Sequence, residues 1–542
     1  MKKTWLKAAS IFLALVFVTS TLAACGGTKT EETKQAGTTP VSGTANTQKS
    51  AAPVEIKMPV YDRGVQGEPP VDNNYWTKWM QEKALKDINV KVTYVPIPRN
   101  QDVDKFNMLL AANEAPDVIY SYDYPVISSF FSRGAFQEIP KAMLDQYGAN
   151  LQKFLGADLL KYGVIDGKQY LIPAKRPMLG DVALTIRQDW LDKLGLKAPT
   201  NTDELYTVLK AFKEQDPGGV GAENVIPYAI SGFGNTSLCV PYYAFIPDNV
   251  SEEEFAIYSD LIISPLTWEP EKEALKYLNK LYNEGLISPE FALDKDNKKA
   301  EADFSNGKVG MYSTRVLKSP PVFSTLIKNV PAAKVQAVNP LVKPGNQLKG
   351  YAYYPFGMLS GINKNSKNPE AVIKYLDWMC KQENLTILQN GFEGKTYTVK
   401  DGLPILDGAY TGEERLILGT NKDYVSVVTE QRDTGDMEKN IKMQAVAQAP
   451  DEFVDYYIAN YKESLKGMTT NNFLFSKPVT SLSKNQQNLK AKFEEAGTRL
   501  IMCKPAEFDA LYDKYSKEYL ASGYQEILDE KKKLYNEMKA AK

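Results

Sequence analysis

Histidine is absent from this chain of 542 residues. Nucleophile systems that depend on a histidine base are therefore excluded, and so are the common zinc sites built on imidazole ligands. A mechanism based on two carboxylates needs no histidine, so a surface glycoside hydrolase or lyase stays open. With 66 acidic residues, however, some carboxylate pair is inevitable, and the number alone does not favour such an enzyme.

Cysteine is scarce, and its spacing carries no redox or metal motif. The four cysteines are Cys25, Cys239, Cys380 and Cys503. No two of them have the CxxC spacing, and they give no disulfide framework. We expect the last three to be buried free thiols, although the sequence leaves open whether two of them pair.

The chain also lacks an excess of charge of either sign. Its 65 basic and 66 acidic residues give a formal net charge of −1. Because no basic patch is indicated, we predict no nucleic-acid partner. The composition, 43% hydrophobic and 24% charged, is that of a globular protein, and the length indicates two large lobes or domains.

The only strongly apolar run, at residues 11–18, is shorter than the ~20 residues of a membrane-spanning helix. Three lysines precede it, and Leu22-Ala23-Ala24-Cys25 follows, as in a secretory signal. This site resembles the bacterial lipobox, which implies cleavage before Cys25 and acylation of Cys25. We predict a lipoprotein signal peptide at 1–24 and a protein anchored by lipid to the outer side of the cell membrane. The alternative is a plain signal peptide with a chance cysteine.

Residues 25–53 are small or polar, and Val41 is the only bulky aliphatic side chain before Ala51. Such a segment cannot bury a core, so it predicts a disordered tether. From Val54 the pattern changes to a strand, a helix with Trp76, Trp79, Met80 and Ala84 on one face, a second strand, a second helix and a third strand. This alternation predicts an α/β fold with a largely parallel sheet.

Polar and aromatic side chains follow two of these predicted strands. Tyr61 and Arg63 stand at the end of the first, and Tyr122 and Asp123 follow the third. Ligands of open α/β sheets bind beyond the carboxyl ends of the strands, so these four residues are candidates for ligand binding. The alternative is that they are ordinary surface-loop residues.

A longer stretch resembles a known family. Ile186-Arg187-Gln188-Asp189-Trp190-Leu191-Asp192-Lys193-Leu194-Gly195-Leu196, followed by Pro199-Thr200, is similar to the extracellular solute-binding lipoproteins of ABC importers (family 1), in particular the LplA- and alginate-binding-like branch that takes oligosaccharides. Further stretches resemble motifs of the same branch in the same order: residues 114–119, 283–287, 304–311, 391–397 and 499–502.

The resemblance implies a two-lobed periplasmic-binding-protein-like fold of type II, each lobe a mainly parallel sheet flanked by helices, with hinge crossings. It places residues 54–172 and 350–388 in the first lobe, and 173–349 and 389–542 in the second. It also implies a monomer without cofactor or enzymatic activity that captures an oligosaccharide by hinge closure and delivers it to ABC transporter permease subunits. A ligand-sensing receptor with the same fold is the main alternative.

The same resemblance adds candidate ligand-binding residues outside the first predicted sheet. Arg187, Tyr312 and Arg315 are expected on the second lobe, and Tyr354 at the cleft or hinge. Two weaker candidates, Glu393 and Tyr397, lie in a loop expected at the rim. Core packing is the alternative for the tyrosines, and a solvated charge for Arg315. Arginines on both sides favour a ligand that bears carboxylates, although neutral sugars use arginine too.

One departure from the family concerns metal. After Asp216-Pro217 the branch often carries a calcium loop of alternating Asp and Asn. Calcium needs six to eight oxygen ligands, several from carboxylates. Here most alternate positions carry no oxygen side chain, and Glu223 stands at an offset position. We therefore predict a loop without metal.

Overall fold

The computed structural model describes residues 52–180, 182–232, 241–260, 263–315, 319–416, 423–428, 432–470, 473, 475 and 477–540. The predicted signal peptide, the lipidation site Cys25, nearly all of the tether and Cys239 lie outside these ranges. A search of the described helices finds none with the length and apolar character needed to cross a bilayer.

Fifteen strands and nineteen α-helices are assigned within the described ranges. The strands are β1 Val54–Asp62, β2 Val90–Pro98, β3 Val118–Ser121, β4 Val164–Ile165, β5 Lys168–Gln169, β6 Leu171–Lys175, β7 Val182–Arg187, β8 Ile226–Ala229, β9 Val309–Arg315, β10 Val335–Val338, β11 Gly350–Ala352, β12 Phe356–Ile362, β13 Tyr397–Lys400, β14 Leu403–Leu406 and β15 Met468–Thr470. The helices are α1 Tyr75–Ile88, α2 Asp102–Ala111, α3 Tyr124–Ser132, α4 Lys141–Tyr147, α5 Ala149–Leu155, α6 Ala157–Leu160, α7 Gln188–Leu194, α8 Thr202–Gln215, α9 Glu252–Tyr258, α10 Glu269–Asn283, α11 Lys298–Ser305, α12 Ser319–Asn329, α13 Pro369–Met379, α14 Gln382–Asn390, α15 Met437–Gln448, α16 Val454–Leu465, α17 Thr480–Met502, α18 Phe508–Tyr519 and α19 Gln525–Ala540.

The first lobe begins with the predicted alternation of strands and helices. β1 and β2 pair in parallel, and the Asp117 amide donates to the Lys57 carbonyl at 2.9 Å, which places β3 beside β1. Helix α1 buries Trp76, Met80 and Ala84 of the face expected from its periodicity, while Trp79 of the same face is partly buried. Its start is capped by Asn74, whose side chain accepts a hydrogen bond from the Thr77 amide.

The second lobe contains a four-stranded sheet in the order β10-β7-β9-β8. β8 and β9 are parallel, whereas β7 is antiparallel to both β9 and β10. Two hydrophobic cores pack around this sheet. The larger includes the C-terminal helices α17, α18 and α19, and the smaller includes α15 and α16.

Strand direction follows from where the chain crosses between lobes. In the first lobe β12 is antiparallel to β3 and β6, and β12 and β7 are the strands that the chain enters after a crossing. Both run away from the crossing, while their partners run towards it. We call the end of the first sheet formed by Asp62, Pro98, Ser121, Lys175 and Phe356 the hinge edge.

Two crossing segments lie side by side at this edge. The Arg176 amide donates to the Pro355 carbonyl at 2.8 Å, and the Tyr353 amide donates to the Leu179 carbonyl at 3.0 Å. A third passage between the lobes follows residue 428, because residues 424–428 contain members of the first core and Ile441 belongs to the core of α15 and α16. The first core thus extends beyond residue 388, the boundary expected from the sequence.

Candidate ligand-binding cleft

Two predicted residues meet a third, unpredicted one at the hinge edge. Arg63 Nε donates to Asp423 Oδ2 at 3.0 Å, and Arg63 Nη2 donates to Oδ1 at 3.1 Å. The Tyr122 hydroxyl donates to the same carboxylate. The Asp423 side chain is 3% exposed and that of Arg63 is 22% exposed, so the pair lies at the boundary between core and solvent.

A second cluster lies next to this one. The Tyr61 hydroxyl donates to Asp102 Oδ2 at 2.7 Å, and Arg99 Nη1 donates to the same oxygen at 3.1 Å. Burial, and then the Asp102 carboxylate, raise the pKa of Tyr61 well above its ordinary value, so its hydroxyl stays protonated and acts as a donor. The Arg99 guanidinium lies over the Tyr61 and Tyr122 rings and is 3.8 Å from the Asp123 carboxylate.

The structure therefore brings Tyr61, Arg63, Tyr122 and Asp123 together, as expected for residues that end parallel strands. Tyr61 is fully buried, and its ring packs against the Arg99 guanidinium and the Tyr122 ring. Sequence reasoning missed Arg99, although it follows β2 as Arg63 follows β1 and the same rule would have found it.

The end of β6 supplies two more cations. Lys175 Nζ lies 2.7 Å from Asp433 Oδ2. Burial opposes ionisation of Asp433, but hydrogen bonds from Lys175, the Gly435 amide and Asn440 hold the pKa of its carboxyl below the ordinary value. The Arg176 guanidinium lies 4.1 Å from the centroid of the Tyr353 ring, and its Nε donates to the Phe356 carbonyl. Lys175 is thus held by the third passage of the chain between the lobes, and Arg176 is held by the second crossing segment.

Beside the hinge edge, a pocket opens between the two lobes. Its first-lobe wall is formed by the start of α3 and by Tyr354, and its second-lobe wall by α9, by the segment before α17 and by α19. We call it the interlobe pocket; its lining includes Tyr124, Tyr354, Phe473, Phe475, Asp260 and Lys531. Lys531 Nζ donates to Asp260 Oδ2 at 2.9 Å.

Tyr354, expected at the cleft or hinge, lines the interlobe pocket, and its ring also stacks on Phe356. The other lining residues were not predicted. Phe473 and Phe475 lie in an irregular segment more than 110 residues beyond Tyr354, and the sequence pattern gives no signal that they return to the hinge. The free room in the pocket is about 40 Å³, enough for a few water molecules.

A larger cavity of about 490 Å³ lies elsewhere. Its lining comes entirely from the second lobe, from Lys213 to Lys308, and includes Ile226 at the start of β8 and Lys308 directly before β9. It thus lies towards the sheet end opposite the crossings. Since it touches only one lobe, a ligand in it would not draw the two lobes together, and the interlobe pocket is the better candidate for the ligand-binding cleft.

Arg187 is not brought to this cleft. It ends β7, which runs away from the crossing, so it lies at the opposite end of the sheet from Arg315. The side chain is 2% exposed, and Nη2 donates to Asp189 Oδ2 at 2.7 Å. A residue at the end of a strand lies on the cleft side only when the strand runs towards the crossing. β7 is antiparallel to its neighbours and runs the other way, so the expectation for Arg187 failed.

Tyr312 and Arg315 both lie in β9. The structure describes the side chain of Tyr312 but only the backbone of Arg315. Tyr312 is fully buried, its hydroxyl accepts from Asn297 Nδ2 at 2.7 Å, and its ring stacks on Phe304. It therefore packs in a core, the alternative left open by the sequence. The backbone of Arg315 pairs with Val182 at the end where the chain crosses, but its side chain lies outside the described part.

Glu393 and Tyr397 lie on the first-lobe side rather than the second. The Gly394 amide donates to the Tyr397 carbonyl at 2.8 Å, and the neighbouring Phe392 stacks on Trp76. Glu393 is exposed and Tyr397 is buried. Their assignment as rim residues stays a prediction.

Metal and thiol sites give little further chemistry. Asp216 uses its carboxylate to accept from the Val220 and Gly221 amides at 3.0 and 2.8 Å, which closes the loop that carries calcium in related sequences. Across the described ranges, no group of three or more Asp, Glu, Cys or His side chains is placed to hold a metal ion. Cys380 is a buried free thiol, and Cys503 is free and partly buried.

The sequence also matches a known protein family. The model for bacterial extracellular solute-binding proteins matches residues 71–384. The chain belongs to this family. The resemblance noted in the sequence is confirmed, and the assignment is to solute binding rather than to catalysis, so the glycoside hydrolase or lyase alternative is not retained.

Individual relatives span most of the chain. Lipoprotein LipO of Bacillus subtilis (strain 168) is 27% identical over 416 residues, which cover 74% of this chain and 75% of LipO. The polygalacturonan/rhamnogalacturonan-binding protein YtcQ of the same organism is 25% identical over 356 residues, 61% of this chain and 68% of YtcQ.

A solved structure confirms the two-lobed fold. The HMO-binding, ABC-transporter-associated solute-binding protein of Bifidobacterium longum infantis ATCC 15697 superposes with a TM-score of 0.64 at 20% identity. The match covers 90% of this chain and 99% of that protein.

Proposed function

We propose that this solute-binding protein captures an oligosaccharide between its two lobes and delivers it to the permease subunits of an ABC importer. The observation that carries the proposal is the interlobe pocket, in which rings from both lobes, Tyr124 and Tyr354 on one side and Phe473 and Phe475 on the other, line a single space. YtcQ is named as a polygalacturonan/rhamnogalacturonan-binding protein, and the Bifidobacterium protein is named as HMO-binding. Both names agree with the proposal.

The lining suits a sugar physically. The C–H faces of a sugar ring pack on aromatic side chains, while its hydroxyls both donate and accept hydrogen bonds. Asp260 and Lys531 place an acceptor and a donor side by side in the same pocket. A sugar unit beside this pair can thus be held by a ring and by the two polar side chains.

Binding requires the lobes to move. Pockets for small ligands usually measure about 300–1,000 Å³, well above the ~40 Å³ of room in the interlobe pocket. An oligosaccharide therefore enters an open form, and its contacts with both lobes then favour closure, a hinge-type population shift. The two crossing segments at Arg176 and Tyr353 are the elements that absorb the rotation.

The proposal is tested by thermal melting of the protein against a panel of oligosaccharides, followed by X-ray scattering with the best binder. A ligand at 100 times its dissociation constant stabilises the folded state by about 2.7 kcal/mol. We expect stabilisation by at least one sugar and a smaller radius of gyration in its presence.

Variants separate the interlobe pocket from other surfaces. Tyr124→Ala and Phe475→Ala, one on each lobe, should each weaken binding at least tenfold. Tyr206→Ala on α8 is the matched control, since its hydroxyl bonds to Glu284 away from the pocket. Binding without compaction, or binding unaffected by both pocket variants, would place the cleft elsewhere; no binding to any sugar would refute the function.

A further inference from the structure

We propose that the oligosaccharide bound in this cleft is uncharged. The inference rests on the proposed function and deepens it by naming the class of ligand. The reason is electrostatic: among the described lysines and arginines of the interlobe pocket and the hinge edge, all but Arg176 are held in ion pairs with aspartates and glutamates of this same chain.

The interlobe pocket shows this pairing most fully. Its two lysines are Lys531 and Lys477. Lys531 pairs with Asp260 at 2.9 Å, and both side chains are 4% exposed. Lys477 pairs with Glu537 at 3.4 Å, with both side chains nearly half exposed. The buried pair of Lys531 and Asp260 presents no net charge to the pocket. The more exposed pair of Lys477 and Glu537 adds no net charge either.

The hinge edge repeats the arrangement on the first lobe. Its pairs are Arg63 with Asp423, Arg99 with Asp102 and, more distantly, with Asp123, and Lys175 with Asp433. In each pair the carboxylate that is bonded most closely is more buried than its cation. These carboxylates are therefore fixed parts of the fold rather than counterions that a ligand displaces.

Arg176 differs, because its described contacts are the Tyr353 ring and the Phe356 carbonyl. Those contacts tie the guanidinium to the crossing segment that moves when the lobes close. Its single positive charge is matched by Asp123, the carboxylate that the three close pairs leave over, so Arg176 gives the edge no excess of positive charge.

An acidic sugar meets a specific penalty in such a site. Its carboxylate would come to lie beside Asp260 or Asp423 in a partly desolvated space, where like charges repel strongly. A hydroxyl group instead donates to the carboxylate of a pair and accepts from its cation, without disturbing the pair. The same pairs that reject a charged ligand therefore hold an uncharged one.

This reverses the expectation from the sequence alone, in which arginines on both lobes favoured a ligand with carboxylates. YtcQ is named for binding a polygalacturonan and the Bifidobacterium protein for binding HMO, so the relatives do not decide the question. Our proposal is decided by the pairing of Arg63 with Asp423 and by the position of Arg187, which lies away from the cleft and is paired with Asp189.

The test begins with a panel of neutral hexose oligosaccharides and of oligogalacturonates, measured by calorimetry. The best neutral binder is then compared with the same sugar after its primary hydroxyls have been oxidised to carboxylates. This pair of probes shares linkage and ring stereochemistry and differs in charge. We expect the wild-type protein to bind the oxidised sugar at least tenfold more weakly.

Two variants test the cause. Asp260→Asn and Asp423→Asn leave Lys531 and Arg63 without these carboxylates, so each should recover at least threefold of the lost affinity for the oxidised sugar, and the recovered part should fall with added salt. If Asp260→Asn does not fold, Asp423→Asn alone still tests whether the carboxylates cause the weaker binding of the oxidised sugar. The control is Asp509→Asn, which removes a carboxylate from an exposed pair with Lys276 and should change nothing.

The outcomes are distinct. Equal or tighter wild-type binding of the oxidised sugar, or an oligogalacturonate as the best binder of the panel, would overturn the inference and leave the proposed function standing. An absence of recovery in both folded variants would also overturn it. If neither class of sugar binds, the proposed function itself fails and the inference fails with it.

Discussion

Arg63 and Asp423 are 360 positions apart in the chain, yet their side chains form a two-bonded ion pair at the end of β1. The pair joins the first strand to a segment that reaches the first lobe only after the chain has built most of the second. Tyr122 shares the same carboxylate, so one buried aspartate holds two residues of the candidate cleft in place.

Removing that aspartate should lower stability. For Asp423→Ala we expect a loss of about 1–3 kcal/mol in the free energy of unfolding, because a nearly buried carboxylate with two charged or polar donors is lost while Arg63 keeps some access to water. Urea denaturation measures the change. Asp509→Ala, from an exposed pair, should cost less than about 1 kcal/mol, and equal losses in the two variants would contradict the prediction.

Glu271, at the start of α10, should make stability depend on pH. Burial raises the pKa of this carboxyl to about 8, although a hydrogen bond from Ser264 opposes the shift. The unfolded chain loses this proton near pH 4.5 and the folded protein near 8, so the stability due to the protonated group is present at low pH and lost as pH rises through this window.

Glu271→Gln should therefore remove this part of the pH dependence and raise stability at pH 8 by a few kcal/mol, on the order expected from the linkage between pKa and folding. Denaturation curves at pH 5, 6.5 and 8 give the result. Glu269→Gln, an exposed neighbour on the same helical turn, is the control and should follow the wild type. A wild-type curve that is flat between pH 5 and 8 would show that Glu271 ionises normally.

Chelation of divalent cations should leave the melting temperature unchanged. The Asp216 carboxylate is engaged by the Val220 and Gly221 amides, so the loop after α8 is closed by hydrogen bonds of its own. Melting with EDTA and with added calcium measures the effect. A fall of several degrees in EDTA would mean that this loop still holds a metal ion.

The lipid anchor is tested at Cys25. Cys25→Ser should abolish incorporation of an alkyne-labelled fatty acid and move the protein from the membrane fraction to the medium, because the acylated thiol is lost. Cys503→Ser, at a partly buried free thiol, is the control and should label as the wild type does. Labelling that survives the change at Cys25 would refute the assignment.

Sequence position was enough to bring Arg63 and Tyr122 together at the hinge edge but not to place Arg187, and the reason lies in strand direction. Arg63 and Tyr122 end strands that run towards the crossing, so the position of each in its strand was enough to place it. Arg187 ends a strand that runs the other way, and nothing in its local pattern shows that reversal. Strand order and direction depend on the crossings, which are long-range features.

The aromatic lining shows a second limit. Phe475 is positioned by packing against the core of the C-terminal helices, not by a repeating pattern around it. Tyr354, by contrast, was expected near the hinge because the family resemblance located that crossing. Residues placed by local periodicity are thus predictable, whereas residues placed by the return of a distant segment need the structure.

The late segment that completes the first core also affects how the chain folds. Val425 and Val427 belong to the same core as the buried side chains of β1 and β3, and the indole of Trp76 donates to the Arg415 carbonyl. A chain that emerges with its N-terminus first therefore holds the first-core members up to Ala174 for 250 residues (424 minus 174) before Tyr424 arrives. Contacts of such long sequence separation slow folding. The first lobe starts to assemble early and is among the last parts of the protein to close, which leaves its apolar strands open to chaperones and proteases throughout synthesis.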